Sequence, residues 1–201
     1  MTRTIRFLLG MAVLAVIVGV PVGYASYRNA NLRNFCVVKP GVLYRSGQLS
    51  LGGLERVIHD HGIRTVVTLR DADVEGERPP DWREEEYCRR QDIRYVRIRP
   101  RLWWSPTGGP VPAEAGLKRF LGLMDDPANY PVLVHCFGGI HRTGAYMAVY
   151  RMEVDHWDNA AALDELRACG YRHLDDEWDV LGYLEQYRPR WWQAAINESG
   201  K

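Results

Sequence analysis

The feature of this sequence with the most chemical content is a cysteine with an arginine six positions later. Residues 134–144 read VHCFGGIHRTG. The apolar residues 131–134 predict a buried strand before the cysteine, and residues 143–152 predict a helix after it. The loop between them offers backbone N–H groups and a positive helix N-terminus to an anion. The same field favours the thiolate of Cys136, which is the nucleophilic form of a cysteine.

The other residues of this loop are suited to binding a phosphoryl group. The planar guanidinium of Arg142 is able to hold two phosphate oxygens at once. Glycines at 138 and 139 let the backbone come close to an oxyanion, because they carry no Cβ. We expect the substrate to be bound by Phe137, Gly138, Gly139, Ile140, His141 and Arg142.

The composition is that of an ordinary globular chain. The 201 residues are 46% hydrophobic and carry a formal net charge of +1. This length favours one domain. A charge so close to zero provides no basic field for nucleic acid, which we exclude as a partner. The six histidines and four cysteines show none of the short spacings of zinc sites, so no metal site is expected.

The N-terminus differs from the rest of the chain. Two arginines, Arg3 and Arg6, precede an uncharged stretch over residues 7–24, which is just long enough to cross a bilayer. A cleaved signal segment has the same pattern, and both interpretations stay open. With the positive flank inside, either one places the following domain outside the cytoplasm. The expected segments are a transmembrane anchor or signal at 1–28, a linker at 29–34 and a catalytic domain at 35–195.

The remaining pattern predicts an α/β fold with a central, mostly parallel sheet flanked by helices, preceded by one N-terminal hydrophobic helix. Short β-branched or apolar runs alternate with longer amphipathic segments. The predicted strands are 35–38, 42–44, 65–69, 93–98 and 131–134. The predicted helices after the N-terminal one are 51–61, 80–91, 112–124, 143–152, 158–169 and 176–187.

This topology predicts where a binding cleft should lie. Sites in open α/β sheets lie beyond the carboxyl ends of the strands. Segments 70–77, 99–112 and 136–142 leave such ends, so we expect them to converge on one cleft. Four arginines, at positions 45, 70, 99 and 101, are candidates for positive charge at its rim, although ordinary surface positions are also compatible with their types.

Several motifs together resemble a known family. HCxxGxxRTG at 135–144, VLYRSGQ at 42–48 and TVVTLR at 65–70 are similar to elements of the cysteine-dependent tyrosine and dual-specificity phosphatases. The resemblance covers about residues 35–187 and is strongest to the compact plant-and-fungi atypical dual-specificity group and its bacterial relatives. It implies a phosphocysteine intermediate on Cys136, transition-state binding by Arg142 and the loop amides, and a leaving-group role for Thr143. His135 would orient the loop and help to keep Cys136 ionised, and neither a metal nor another cofactor is needed.

One part of the family pattern is missing. Many relatives carry an aspartate, the general acid, on a loop about thirty residues before the cysteine. Here that loop holds Trp103 and Trp104 but no carboxylate. Asp71 is the first candidate for the acid, with a loop-ordering role as the alternative. A further possibility is that no fixed acid exists and the leaving group is itself acidic.

The substrate follows less directly from the sequence. The loop interior contains no lysine, which argues against a crowded polyanion. The resemblance favours a phosphorylated protein of phosphotyrosine type or a small phosphoester. The alternatives are an inositol phosphate or phosphoinositide phosphatase and a catalytically inactive phosphate-binding module. A sulfurtransferase of rhodanese type also places a cysteine loop after a strand, but the Arg142–Gly144 ending favours the phosphatase.

Overall fold

A five-stranded sheet forms the centre of the molecule. The structure, a computed structural model, describes residues 3–192. The strand order is β1-β2-β5-β3-β4, and β1 is antiparallel to β2 while the remaining neighbours are parallel. The predicted α/β fold with a mostly parallel sheet is confirmed. The strands are β1 Cys36–Lys39, β2 Leu43–Ser46, β3 Thr65–Thr68, β4 Arg94–Arg97 and β5 Val132–His135.

Helices cover both faces of this sheet. Each predicted helix is present, and its ends agree with the pattern to within two residues. The structure has α1 Arg3–Asn31, α2 Leu51–His61, α3 Trp82–Arg90, α4 Ala113–Met124, α5 His141–Val154, α6 Asn159–Ala168 and α7 Trp178–Gln186. The start of α2 is capped by the Ser50 side chain and its end by Gly62 in the left-handed conformation, which fixes both boundaries locally.

The three central strands lie in the core of the molecule. All residues of β2, β3 and β5 are buried, because helices pack on each side of them. One hydrophobic cluster joins these strands to α4, α5, α6 and α7, and a smaller one joins them to α2 and α3. Burial of β5 on both faces holds its carboxyl end, and therefore the loop that follows, in a fixed position.

The register places three strand ends side by side. Ser46 at the end of β2 and Thr68 at the end of β3 both pair with His135 at the end of β5. The segments that leave these strands therefore emerge at one edge of the sheet, as the topology predicts. Cys136 is the first residue beyond that edge.

The N-terminal helix α1 projects apolar side chains that the rest of the described chain leaves exposed. It is long and apolar enough to cross a membrane between Thr4 and Arg28. The helix runs to Asn31, so it includes part of the expected 29–34 linker, and the last linker residues contact the catalytic domain. Residues 1–2, and 193–195 at the end of the expected domain, lie outside the described residues.

Candidate active site

The loop between β5 and α5 presents its N–H groups to the cleft because donors outside the loop hold its carbonyl groups outward. The carbonyls of residues 137, 138 and 139 accept hydrogen bonds, in that order, from the Gln48 backbone N–H at 2.9 Å, the Asn34 amide at 2.8 Å and the Arg45 guanidinium at 2.7 Å. In a planar trans peptide the N–H points opposite to the carbonyl. The N–H groups that follow these carbonyls therefore face inward.

Two glycines allow this loop to lie directly on β2. Gly139 has a φ of +73°, and a Cβ there would come within 2.3 Å of the Gly47 nitrogen. A Cβ on Gly47 would in turn lie 2.9 Å from two loop carbonyl oxygens. Both positions thus require glycine, one for its conformation and both for the close approach. The helix that follows has no side-chain cap, so the N–H groups of its first turn stay available to an anion.

The Cys136 side chain lies at the base of this loop, 4% exposed. Its sulfur accepts a hydrogen bond from the Gly139 N–H at 3.2 Å. Burial alone would raise the pKa of Cys136, but the Thr143 hydroxyl and backbone N–H, the Gly139 N–H and the charge of His135 together lower it. The buried Thr143 hydroxyl has no hydrogen-bond partner elsewhere in the described chain, so it is available to donate to the Cys136 sulfur. The thiolate is therefore favoured.

Arg142 stands at the mouth of the site, where its side chain is exposed. Its Nη1 donates to the carbonyl of Leu69 at the end of the neighbouring strand, at 3.3 Å. This contact ties the guanidinium to the rigid sheet edge and leaves its other N–H groups for a ligand. Arg142 lines both of the depressions that adjoin the loop.

The three predicted segments converge on this site. One cleft, of about 620 Å³, is bounded by Trp103, His141, Tyr171, Glu177 and Asp179, among others. The Trp103 ring is buried and packs edge-on against Tyr146 and Tyr183, so it forms a wall of the cleft. A second depression, of about 690 Å³, lies on the other side of Arg142 and is bounded by segment 70–80, Arg99 and Phe137.

Asp71 lies in this second depression, as its position after β3 predicts. Its Oδ2 accepts a hydrogen bond from Arg99 Nε at 2.5 Å. Arg99 holds the pKa of the Asp71 carboxyl below its usual value, and a hydrogen bond from the Ala72 N–H acts in the same direction. In this arrangement Asp71 is ionised at neutral pH. Asp71 has to separate from Arg99 and take up a proton before it is able to act as a general acid.

The structure corrects one expected role. Arg45 was a candidate for rim charge, but it is 5% exposed and lies beneath the loop, where it holds the Gly139 carbonyl. It therefore has a structural function. Arg70 and Arg99 line the second depression and Arg101 lines the first, as expected for rim residues.

Sequence reasoning missed several residues that build the site. Asn34, placed in the expected linker, binds the loop carbonyl of residue 138. Glu84, in a highly charged segment, is buried against His135. Glu177 and Asp179 add carboxylates to the cleft from the C-terminal part of the chain. One sequence signal for residues that support the loop was available. It was the YRSGQ motif, because its Arg45 and Gln48 both bind the loop.

Comparison with known proteins identifies the family. Residues 33–179 match the family model described as DSP-PTPase phosphatase fused to NAD+ kinase. The chain belongs to this family of dual-specificity and tyrosine phosphatases. The resemblance inferred from the motifs is thereby confirmed, and the match begins at Arg33, whose guanidinium lies over the ring of Phe137 in the loop.

Individual relatives support this assignment. The putative tyrosine-protein phosphatase OCA1 of Mycosarcoma maydis is 32% identical over 145 residues, which cover 69% of this chain and 84% of OCA1. The dual specificity protein phosphatase TpbA of Pseudomonas aeruginosa is 44% identical over 54 residues, 27% of this chain. The matched part spans a quarter of TpbA.

Solved structures show the same fold. TpbA in complex with pTyr superposes with a TM-score of 0.58 at 24% identity, covering 77% of this chain and 84% of that one. The catalytic core of the PP-IP phosphatase SIW14 of Saccharomyces cerevisiae superposes with a TM-score of 0.60 at 21% identity, covering 85% and 94%. These likenesses cover most of this chain and show that the fold is shared.

Proposed function

We propose that this protein hydrolyses phosphate monoesters through a phosphocysteine intermediate. The observation that carries the proposal is the buried Cys136 sulfur, which lies under inward-facing loop N–H groups with Arg142 at the mouth. In the first step the thiolate attacks phosphorus, an S–P bond forms, and the ester P–O bond breaks, so that the oxygen leaves with the bonding pair and takes up a proton to give the free alcohol or phenol. In the second step water attacks the same phosphorus, the S–P bond breaks, and inorganic phosphate and the thiolate are released.

Each loop residue has a role in these steps that follows from its position. The loop N–H groups and Arg142 bind the three equatorial phosphoryl oxygens in the planar arrangement that they adopt in the transition state. The Thr143 hydroxyl stabilises the departing thiolate in the second step, since it contributes to the low pKa of Cys136. The charge of His135 acts in the same direction. These assignments cover Cys136, Arg142 and Thr143 as catalytic residues and 137–142 as the binding loop.

For the substrate we propose an aryl phosphate of the phosphotyrosine type. The first cleft has an aromatic wall at Trp103 and carboxylates at Glu177 and Asp179, a combination that accommodates a tyrosyl ring and disfavours further phosphate groups. Phosphotyrosine is the ligand in the TpbA complex. An inositol polyphosphate, suggested by the name of SIW14, would meet these carboxylates at close range.

A panel of substrates tests this proposal. The full chain is assayed for phosphate release from p-nitrophenyl phosphate, a phosphotyrosine peptide, a phosphoserine peptide and an inositol diphosphate. We expect the phosphotyrosine peptide to have a higher kcat/KM than the inositol compound. Preference for the inositol compound would reverse the substrate assignment. Binding without turnover on every substrate between pH 4.5 and 8 would instead indicate a phosphate-binding module.

We retain Asp71 as the proposed general acid, with a specific consequence. Asp71→Asn should slow hydrolysis of an alkyl phosphate by about tenfold or more and that of p-nitrophenyl phosphate by less than about threefold, because a poor leaving group needs the proton more. Steady-state kinetics on both substrates measure the difference. The neighbouring exposed Asp73, changed to Asn, is the matched control and should lower neither rate.

The contact between Arg99 and Asp71 allows a second test of the proposed role of Asp71. Removing the guanidinium in Arg99→Met should raise the pKa of Asp71 toward its ordinary value. A larger fraction of Asp71 is then protonated at neutral pH, so the basic limb of the rate profile for the alkyl phosphate should move to higher pH. Equal loss on both substrates in Asp71→Asn, with no movement of that limb, would remove Asp71 as the acid.

We also propose that α1 anchors the protein in a membrane with the catalytic domain outside the cytoplasm. The support is an apolar helix from Thr4 to Arg28 that nothing in the described chain covers, with arginines before it. The full chain should remain in the membrane pellet after alkaline carbonate extraction. In intact cells a membrane-impermeant maleimide should label the exposed Cys169, whereas the buried Cys88 serves as the unlabelled control. Labelling of Cys169 only after lysis would contradict this orientation.

A further inference from the structure

A buried carboxylate lies directly behind the catalytic loop. Glu84 Oε1 is 2.6 Å from His135 Nε2, and their side chains are 4% and 2% exposed. Neither atom has a hydrogen-bond partner in the part of the chain that the structure describes, so this close ionic contact is what compensates both of them. The carboxylate and the imidazole therefore depend on one another in a site that excludes solvent.

Glu84 lies on the buried face of α3. Glu84 and Cys88, one turn apart, are the buried residues of α3, whereas Glu85 is exposed and pairs with Arg97. A buried charge is unfavourable unless it is paired, and on such a face an apolar residue would be expected. A glutamate at this buried position needs a partner that compensates its negative charge, and His135 is that partner.

His135 connects this pair to the nucleophile. It precedes Cys136 in the chain, and its Nδ1 lies 3.3 Å from the Cys136 carbonyl oxygen. Burial lowers the pKa of His135, but the contact with Glu84, together with the Cys136 carbonyl and the charge of Asp81, raises it overall. The positive ring in turn lowers the pKa of Cys136. Glu84 thereby acts on the sulfur through the imidazole.

The other charged groups near His135 do not replace Glu84. Asp81 also favours the charged ring, but its carboxylate is shared among the Thr68 hydroxyl at 2.5 Å, the Tyr95 hydroxyl at 3.0 Å and Arg97 at 2.6 Å. These contacts fix Asp81 to the β3 and β4 strands. Glu84 is the carboxylate in direct contact with the ring.

A second contact links Glu84 to the loop backbone. The Gln48 amide donates to the other carboxylate oxygen of Glu84 and accepts a hydrogen bond from Arg70 at 3.0 Å. The backbone N–H of the same Gln48 donates to the Phe137 carbonyl at 2.9 Å. The orientation of the carboxylate and the position of the loop are thus coupled through one residue.

We propose that Glu84 is a positioning residue for the nucleophile: it holds the His135 ring and its proton behind the Cys136 thiolate and keeps Gln48 in place under the loop. This deepens the proposed function, since it assigns the means by which the thiolate is maintained. A role limited to folding would leave the ionisation of Cys136 unchanged in a folded variant. The two roles can therefore be separated by measuring the thiolate.

The test is the pH dependence of Cys136 alkylation by iodoacetamide, followed on the peptide that contains Cys136. Glu84→Gln keeps the size of the side chain and an oxygen for the ring N–H but removes the charge. We expect alkylation at pH 6 to be about tenfold slower than in the wild type, with the two rates converging at high pH, because only the thiolate reacts. The acid limb of kcat/KM should move to higher pH in parallel.

Two comparisons complete this experiment. Glu86→Gln removes a carboxylate from the exposed side of the same helix, where it pairs with Arg90, and should leave the alkylation profile unchanged. His135→Asn added to Glu84→Gln should slow alkylation little further, because the charge acts through the ring. A folded Glu84→Gln protein with the wild-type profile would overturn the proposal. Alkylation needs no phosphate substrate, so this outcome is distinct from failure of the proposed phosphatase activity.

A measurement on the wild-type chain covers the case in which Glu84→Gln does not fold. The ¹⁵N signals of the His135 ring should show both nitrogens protonated at pH 7, as expected for a ring held by a carboxylate. They are assigned by their absence in His135→Asn. A neutral ring at this pH would overturn the proposal without any change at Glu84.

Discussion

Replacing Cys136 with serine is expected to reduce phosphate release by about 10⁴-fold or more, as removal of a catalytic nucleophile does elsewhere. The surroundings of the sulfur explain the size of this effect. The Thr143 hydroxyl, the Gly139 N–H and the charge of His135 lower the pKa of the thiol and so increase the fraction present as thiolate. A serine hydroxyl ionises at far higher pH, so the same contacts do not produce an alkoxide. Steady-state hydrolysis of p-nitrophenyl phosphate measures the loss.

The same variant should keep its affinity for the substrate. The loop N–H groups and Arg142 remain in place, so calorimetric titration with a phosphotyrosine peptide should show binding without turnover. Cys169→Ser is the matched control, because Cys169 is an exposed cysteine that lies outside the loop. It should hydrolyse substrate at the wild-type rate. Near wild-type turnover by the Cys136→Ser protein would mean that no phosphocysteine forms.

The sequence predicts those parts of the fold and site whose signals are local. The β-branched run at 65–68 and the apolar run at 132–134 are strands because helices cover both faces of the sheet. The limits of α2 follow from Ser50 and Gly62, which cap it within the segment itself. The loop from Cys136 to Arg142 is also continuous in sequence, so its nucleophile and its arginine are both visible in one motif.

What the sequence does not predict depends on contacts between distant residues. Glu84 lies among glutamates of one charged helix, and only the packing of that helix on the sheet determines which of them is buried. Arg45 looks like a surface cation until β2 is placed beneath the loop, 94 residues away in the chain. The Asp71–Arg99 pair spans 28 residues, so the low pKa of this carboxyl was not apparent from its neighbours.

The last prediction concerns the arginine of the loop. Arg142→Lys should lower kcat/KM by about 10² to 10³-fold, the range found when one donor to a transition-state oxyanion is removed. The substitution keeps the charge but replaces a planar fork, which spans two phosphoryl oxygens, with a single flexible ammonium. Since the fork matches the equatorial oxygens best in their planar transition-state arrangement, kcat should fall more than KM rises.

Arg101→Lys provides the matched comparison, because Arg101 lies on the wall of the same cleft and is exposed. Arg101→Lys should change kcat/KM by less than about threefold, because lysine keeps the positive charge at the rim of the cleft. Alkylation of Cys136 should be nearly unchanged in Arg142→Lys, since no Arg142 contact is among the causes that lower the pKa of the thiol. A nucleophile of normal reactivity combined with slow phosphoryl transfer would show that the guanidinium acts on the phosphoryl oxygens. If Arg142→Lys instead retained most of its activity, the inward-facing N–H groups alone would be sufficient to stabilise the transition state.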